Sequence, residues 1–342
     1  MSAVMSSQAS PSAAQRGTAR WIVPLLLVAV AVGGAMLPKL VTSPFYLSLL
    51  ANGVILGIAA LGLGFLMYQC GLVLFGVAAF IGVPAYLLGM GVQHLGLSLG
   101  VAVALALLGS GLFALLVGAL VVRARPLPFA MLTLALAQML KSVATLQVLR
   151  PLTGGDDGLS MTFSGSFLGL SAAELAKSAS FWPLAWFALC ATMLLLWWVG
   201  RSRFGQILRA IKANEERMRF SGFDTYWPRL AAFVLAALVI SVAGVLGALS
   251  SAFASPELLD FATGGNALVA TLVGGASSVA GPVLGALLYT WGQDLFGTTG
   301  HLELLTGIAT VVAIAFFPHG AIGAVEALGV RLRHALSGQG RS

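Results

Sequence analysis

Long apolar runs divide the chain, and the polar positions between them are few. In order they are Trp21–Leu37, Phe45–Leu66, Gly71–Met90, Leu95–Val122, Pro128–Val148, Trp182–Val199, Leu230–Leu249, Ala267–Trp291 and Leu302–Phe317. A helix needs ~20 apolar residues to cross a hydrocarbon layer of ~30 Å, and most runs meet or approach that length. In lipid every backbone polar group must be bonded within the protein, so helices are the natural reading. The short alternating segments of a membrane barrel are absent. The pattern predicts an all-α, polytopic transmembrane helix bundle of about 8–10 crossings with re-entrant or broken segments. Residues 1–20 read as a flexible cytoplasmic tail, 21–318 as the transmembrane domain with a cytoplasmic loop at 201–229, and 319–342 as a cytoplasmic C-terminal tail. The first run reads as an uncleaved anchor rather than a secretory signal, because Pro38-Lys39 follows it without a clear small-x-small site.

Composition agrees. Of 342 residues 59% are hydrophobic and only 8% charged, against about a quarter charged in a soluble domain. That excludes an ordinary soluble enzyme and a disordered chain. The net charge of +7 does not point to nucleic acid, because seven of the 18 basic residues fall between Arg201 and Arg229 and most others flank apolar runs. This is the positive-inside pattern. Arg16 and Arg20 put the N-terminus in the cytoplasm, with Arg123, Arg125 and the 201–229 loop on the same side; Asp156, Asp157, Glu174, Glu257 and Asp260 fall outside. Arg331, Arg333 and Arg341 put the C-terminus inside. For that to hold, the stretch 264–294 must begin and end outside, as a re-entrant hairpin or two short crossings turning at Gly274-Gly275-Ala276-Ser277-Ser278. Eight crossings plus a hairpin, or ten crossings, both satisfy the pattern. Two glycine-interrupted segments, Gly71–Tyr86 and Gly274–Tyr289, carry similar Gly, Pro and Tyr positions. They read either as an internal repeat around a transport path or as close packing through small residues.

The charged loop 201–229 is the most informative stretch. Ile207, Ile211, Asn214 and Met218 fall on one helical stripe, with Gly222 placed as a C-terminal cap and Pro228 opening the next helix. Such a helix can lie on the anionic inner leaflet, be a solvated loop, or dock into a soluble partner. Phe204–Ile211, Asn214-Glu215 and Gly222 resemble the cytoplasmic loop of the LivM-type (LivH/LivM) permeases, the membrane subunits of branched-chain amino acid ABC importers. Cys70–Tyr86, Phe129–Ala135 with Gln138, Thr153–Leu159 and Gly274–Leu287 resemble further blocks of that family, in the same order. Leu74, Val77, Met218 and Ala276 depart from its usual residues.

The resemblance implies a permease in a bacterial cytoplasmic (inner) membrane. Its implied partners are a homologous second permease subunit, two cytoplasmic ATP-binding subunits and an extracytoplasmic solute-binding protein. It implies no cofactor in this chain, with ATP and Mg on the partners. No lysine here follows a glycine, so a Walker A loop is absent. The ATPase-coupling residues it suggests are Gly205, Arg209, Ala210, Ile211, Asn214, Glu215 and Gly222. Branched-chain amino acids are the implied cargo; urea, short amides or aromatic acids are the alternatives within the family, and an ion-gradient secondary transporter is the alternative outside it. The polar residues Asn52, Gln69, Thr133, Gln138, Asn266, Ser277 and Ser278 are candidates for a translocation path or for interhelical hydrogen bonds. Gly154, Gly155, Asp156 and Asp157 form an outer loop that reads as a gate, a docking point for the binding protein, or a plain turn. The four histidines and two cysteines show no ligand spacing, and no catalytic pair or metal site is expected.

Overall fold

The computed structural model describes residues 43–163, 177–276 and 278–297, with short pieces at 33–34, 36–40, 166–167, 170–171, 174 and 307–308. Both expected tails, Ser277 and nearly all of the first and last apolar runs lie outside the described residues. Ten helices carry the architecture: α1 (Pro44–Cys70), α2 (Val77–Gln93), α3 (Leu99–Val121), α4 (Pro126–Ala144), α5 (Ser178–Arg201), α6 (Arg203–Ala213), α7 (Glu215–Phe220), α8 (Tyr226–Ser251), α9 (Phe261–Gly274) and α10 (Gly281–Gly297). Among the described residues α1, α3, α4, α5 and α8 are long and apolar enough to cross a membrane. The chain is an all-α polytopic membrane bundle.

Local chemistry sets the helix ends. Pro44 and Pro126 open α1 and α4 after an extended residue, where the missing N–H costs nothing. Gly71, at φ 68°, ends α1 in the left-handed region and bonds its N–H to the Met67 carbonyl. Asp260 caps α9 by accepting the Phe261 N–H.

The two central helices are α1 and α8. In their most apolar windows 72% and 67% of residues are buried, against 33% or less in α3, α4 and α5, which therefore present most of their surface to lipid or to another chain. α8 packs against α1, α2 and α3; α1 also packs against α5, α9 and α10. Small residues allow the close approaches. Gly62 of α1 lies under the Ala236 carbonyl of α8, Gly57 faces Val283 and Ala286 of α10, and Gly64 meets Pro282 and Thr271. Phe80, Phe113, Phe129 and Phe233 tie α2, α3, α4 and α8 together, with the rings of Phe80 and Phe129 set edge-on to Phe233 at 5.5 and 5.8 Å.

α9 and α10 form a hairpin against α1. Thr271 bonds the Ala60 carbonyl, the turn lies near Gly64, and α10 returns to the level of Gly53 and Tyr46. With 14 residues α9 spans only about 21 Å, short of the ~30 Å core. The chain doubles back between α9 and α10, as both alternatives require. Its arms touch through backbone: a Cβ on Gly285 would fall on the Ala270 carbonyl oxygen and against Gly274. Gly285→Val should accordingly prise the arms apart, at or above the upper end of the usual overpacking cost of about 1–3 kcal/mol. Thermal unfolding of the detergent-purified chain would show it, and an unchanged melting temperature would contradict this packing.

The break between α1 and α2 (71–76) resembles that between α9 and α10 (275–280): each precedes a 17-residue helix running back the way the chain came. The connections sort to two ends of the bundle in the same groups that the charge pattern predicts. At one end the His94 ring lies 3.2 Å from the Leu152 carbonyl oxygen, and strand β1 (Leu159–Ser160) pairs antiparallel with β2 (Phe253–Ala254). At the other end Lys212 bonds the Met67 and Tyr68 carbonyls, and Tyr226 bonds that of Ala119.

Candidate functional site

The stretch 203–220 is two helices, not the single stripe the periodicity suggests. Asn214 leaves the helical region at φ −160°, ψ 99°, ends α6 and caps α7 by accepting the Arg217 N–H at 2.9 Å. An Asn followed by Glu215 and Glu216 is a good helix start, since the carboxylates complement the positive N-terminus. α7 ends in a Schellman motif: the Gly222 N–H reaches Arg219, the Phe223 N–H reaches Met218, and Gly222 takes φ 83°. That cap was expected.

Each helix of this pair is anchored to the membrane domain. On α6, Leu208 and Ile211 are buried, and Gly205 lies so close to the Val199 and Gly200 carbonyls that a side chain has no room. Arg209 reaches inward and donates through Nη1 to Gln69 Oε1 of α1 at 3.1 Å and to the Gly200 carbonyl of α5 at 2.8 Å. On α7, Glu215 accepts from Arg229 Nη1 with both carboxylate oxygens at 3.0 Å, from Arg219 at 2.7 Å and from the Thr225 hydroxyl at 3.2 Å. Arg229 sits in α8 with its side chain only 9% exposed. So α6 holds the ends of α1 and α5, α7 holds the start of α8, and Asn214 is the joint between them. Arg209, Ile211 and Glu215 thus face the membrane domain, while Phe220, Phe223 and Glu216 face away; Phe220 is 92% exposed. Ala210 is half-buried on α6.

Above α6 lies a cavity of about 300 Å³ between the α6-side halves of α1 and α5 and the turn of the α9–α10 hairpin. Gln69, Arg209, Arg201, Tyr68 and Ser278 supply its polar lining; Leu61, Phe65, Leu196, Val279 and Pro282 are among its apolar walls. Ser278 accepts the Gly281 N–H and so caps α10. Of the candidate path residues the structure brings Gln69 and Ser278 together here. Thr133 is fully buried and committed to backbone, donating to the Ala130 carbonyl and accepting the Gly76 N–H at the start of α2. Asn266 accepts from the Tyr289 hydroxyl within the hairpin. Asn52 is exposed on α1. Gln138 belongs to the other end, where it and Lys141 bond Asp260. The Lys141 ammonium, then the Phe261 N–H, holds the Asp260 carboxyl below its ordinary range, and the 2.7 Å ion pair joins α4 to the start of α9. Leu74 and Val77 are fully buried and do not line the cavity.

The loop 153–159 is built as a turn. Gly154, Gly155 and Gly158 all have positive φ, Arg150 pairs with Asp157 at 2.8 Å, and Leu159 enters the β1–β2 pair. Asp156 is left exposed. Among the described residues no cluster of three or more potential metal ligands occurs.

The fold is a helix bundle with a helical hairpin seated on α1 and an anchored helical pair at one end. A family model described as branched-chain amino acid transport system, permease component, matches residues 45–316. The chain belongs to that family. It is 24% identical over 286 residues to LivM, a high-affinity branched-chain amino acid transport system permease protein of Escherichia coli K12, covering 78% of this chain and 67% of LivM. It is 29% identical over 132 residues to BraD, the similarly named permease protein of Pseudomonas aeruginosa, covering 37% of this chain and 42% of BraD. No solved structure matches. The branched-chain permease match takes in all of α2–α10 and nearly all of α1. The chain is therefore a multi-pass transport permease of the inner membrane, and the α6–α7 pair, the cavity and the hairpin all belong to the family domain.

The ion pairs across the fold are what residue spacing could not supply. Lys141 is the one basic residue inside an apolar run, a signal from which a partner could have been expected. Arg229, beside Pro228 at a helix start, gave no such sign.

Proposed function

We propose that the chain is the permease subunit of an ABC importer for branched-chain, hydrophobic amino acids, alternating between outward- and inward-open states under the force of separate ATPase subunits. One observation carries the reading: α6 and α7 turn one face to the membrane domain, where they grip α1, α5 and α8, and leave an aromatic face free. A module gripping both central helices and presenting exposed Phe220 and Phe223 is suited to carry movement from a soluble engine into the bundle. ATP and Mg act on the partner subunits in this reading, since the chain has no phosphate-binding loop of its own. A homologous second permease subunit and an extracytoplasmic solute-binding protein complete the assembly; the lipid-facing helices α3, α4 and α5 leave ample surface for the former.

An ion-gradient carrier has less support. Such proteins commonly place an ionisable group at mid-membrane, and α1–α5, α8 and α9 contain no Asp or Glu. For cargo, the names of the relatives and the apolar walls of the cavity favour hydrophobic amino acids over urea or short amides.

The orientation follows from this reading: α6–α7 and both termini cytoplasmic, the 153–159 loop outside. In whole cells a cysteine at position 156 (Asp156→Cys) should react with an impermeant thiol reagent, and one at 216 (Glu216→Cys) should react only after the membrane is opened. The reverse pattern would overturn the assignment. Co-purification of the tagged chain with two ATPases, and ATP-dependent uptake in proteoliposomes, test the class; accumulation under an ion gradient alone would refute it.

A further inference from the structure

Resting on the permease reading, the geometry points to a carboxylate-binding station in the cavity between α1, α5 and the hairpin turn, with Arg209 of α6 as its counter-ion. At about 300 Å³ the cavity is at the small end of small-molecule sites, fitting a solute of amino-acid size better than a two-chain lipid. Its fixed charges are of one sign: Arg209 and Arg201 line it, and no Asp or Glu does. Both bonds that Arg209 makes use Nη1. A guanidinium carries five N–H donors, so Nη2 and Nε remain for a planar carboxylate, the anion this group matches best. The 17-residue helix α10 starts at the cavity's edge, with Pro282 in the lining, and its N-terminus adds positive potential. The amide of Gln69, 4% exposed, is the second polar group at the same place. Opposite them Leu61, Phe65, Leu196 and Val279 offer an apolar surface.

The station therefore reads an acid group and an apolar body, and does not read an amine. It also links cargo to coupling. An anion in the cavity draws on the guanidinium that holds α6 to the Gly200 carbonyl and to Gln69, so occupancy and the seating of α6 bias one another, as linkage requires. A lipid phosphate shares the anion chemistry, and the test separates the two sources.

The experiment uses the purified full chain carrying Ser278→Cys in a Cys70→Ala, Cys190→Ala background, and follows alkylation at position 278. Three leucine-shaped probes are compared: 4-methylpentanoate, 4-methylpentanamide and isoamylamine. The acid is expected to slow alkylation at concentrations at least about tenfold below any at which the amide or the amine has an effect, the affinity ratio that a charge-assisted hydrogen-bonded pair supplies. Arg209→Gln should remove the protection, and Arg209→Lys should keep part of it. Equal protection by the amine or amide, or none by the acid, overturns the proposal even if Arg209→Gln does not fold, because that comparison needs no change at Arg209. Protection by a short-chain phosphatidate but not by the acid assigns the anion to lipid and overturns the solute station. Protection is read on the chain alone and ATPase co-purification on the assembly, so either reading can fail without the other.

Discussion

Replacing Glu215 by Ala lowers the melting temperature of the purified chain and abolishes ATP-driven uptake, because it strips the counter-ion from Arg229. The Arg229 side chain is 9% exposed and both of its contacts to Glu215 are 3.0 Å. Removing one member of a buried pair leaves an uncompensated charge, which costs about 3–5 kcal/mol; Glu215 is itself 31% exposed, so about 3 kcal/mol, the lower bound, is expected. The informative companion is the double variant Glu215→Ala with Arg229→Met. Replacing a buried pair by apolar side chains is often neutral for stability, so its melting temperature should return near that of the unchanged protein. Uptake should not return, because the tie between α7 and α8 is still missing. Thermal unfolding in detergent and uptake in proteoliposomes measure the two effects separately. If the double variant transports normally, the tie is a packing detail without a part in coupling.

The second large effect is expected on the opposite face. Phe220 and Phe223 are 92% and 53% exposed, so changing both to Asp removes little packing within the chain, and stability should move by no more than about 0.5 kcal/mol. If an ATPase subunit buries these rings they are anchors of the kind worth about 2 kcal/mol or more each. The double substitution should then reduce co-purification of the ATPases by more than about tenfold while the chain's level in the membrane stays the same. Retention of the ATPases by Phe220→Asp, Phe223→Asp would place the docking face elsewhere. A pair such as Arg209→Glu and Ile211→Asp is a poorer probe of docking, since both residues contact or pack on the membrane domain and their loss would damage the fold as well.

The helices themselves were legible because apolar run length is a local property, and the runs that became α1, α3, α4, α5 and α8 are long and nearly free of charge. That 264–294 doubles back was legible from the acidic residues before it and the C-terminal arginines after it, and the Gly222 cap from its place after a periodic stretch. The Asn214 break was not read, because Ile207, Ile211 and Met218 keep helical spacing across it and outweighed the cap signal of Asn214 followed by two glutamates. The candidate site was legible only in part. Gln69 and Ser278, which share a cavity, look no different in sequence from Thr133, which is consumed by backbone bonds, or from Asn52, which is exposed. What separates them is which face of a helix meets which neighbour. The ties Arg209–Gln69 and Lys141–Asp260 join residues 140 and 119 positions apart, beyond the reach of any periodic signal.

The hairpin of α9 and α10 has a consequence for the order of events during synthesis. A 14-residue helix that doubles back beside Gly64 of α1 cannot rest in lipid by itself, because the freed backbone groups of its turn require protein around them. It can settle only after its seat on α1 exists. That seat, with Gly57 and Gly64, leaves the ribosome some two hundred residues earlier and must stay vacant meanwhile. Assembly of this protein thus has an obligatory late step, performed by a segment made long after the seat that receives it.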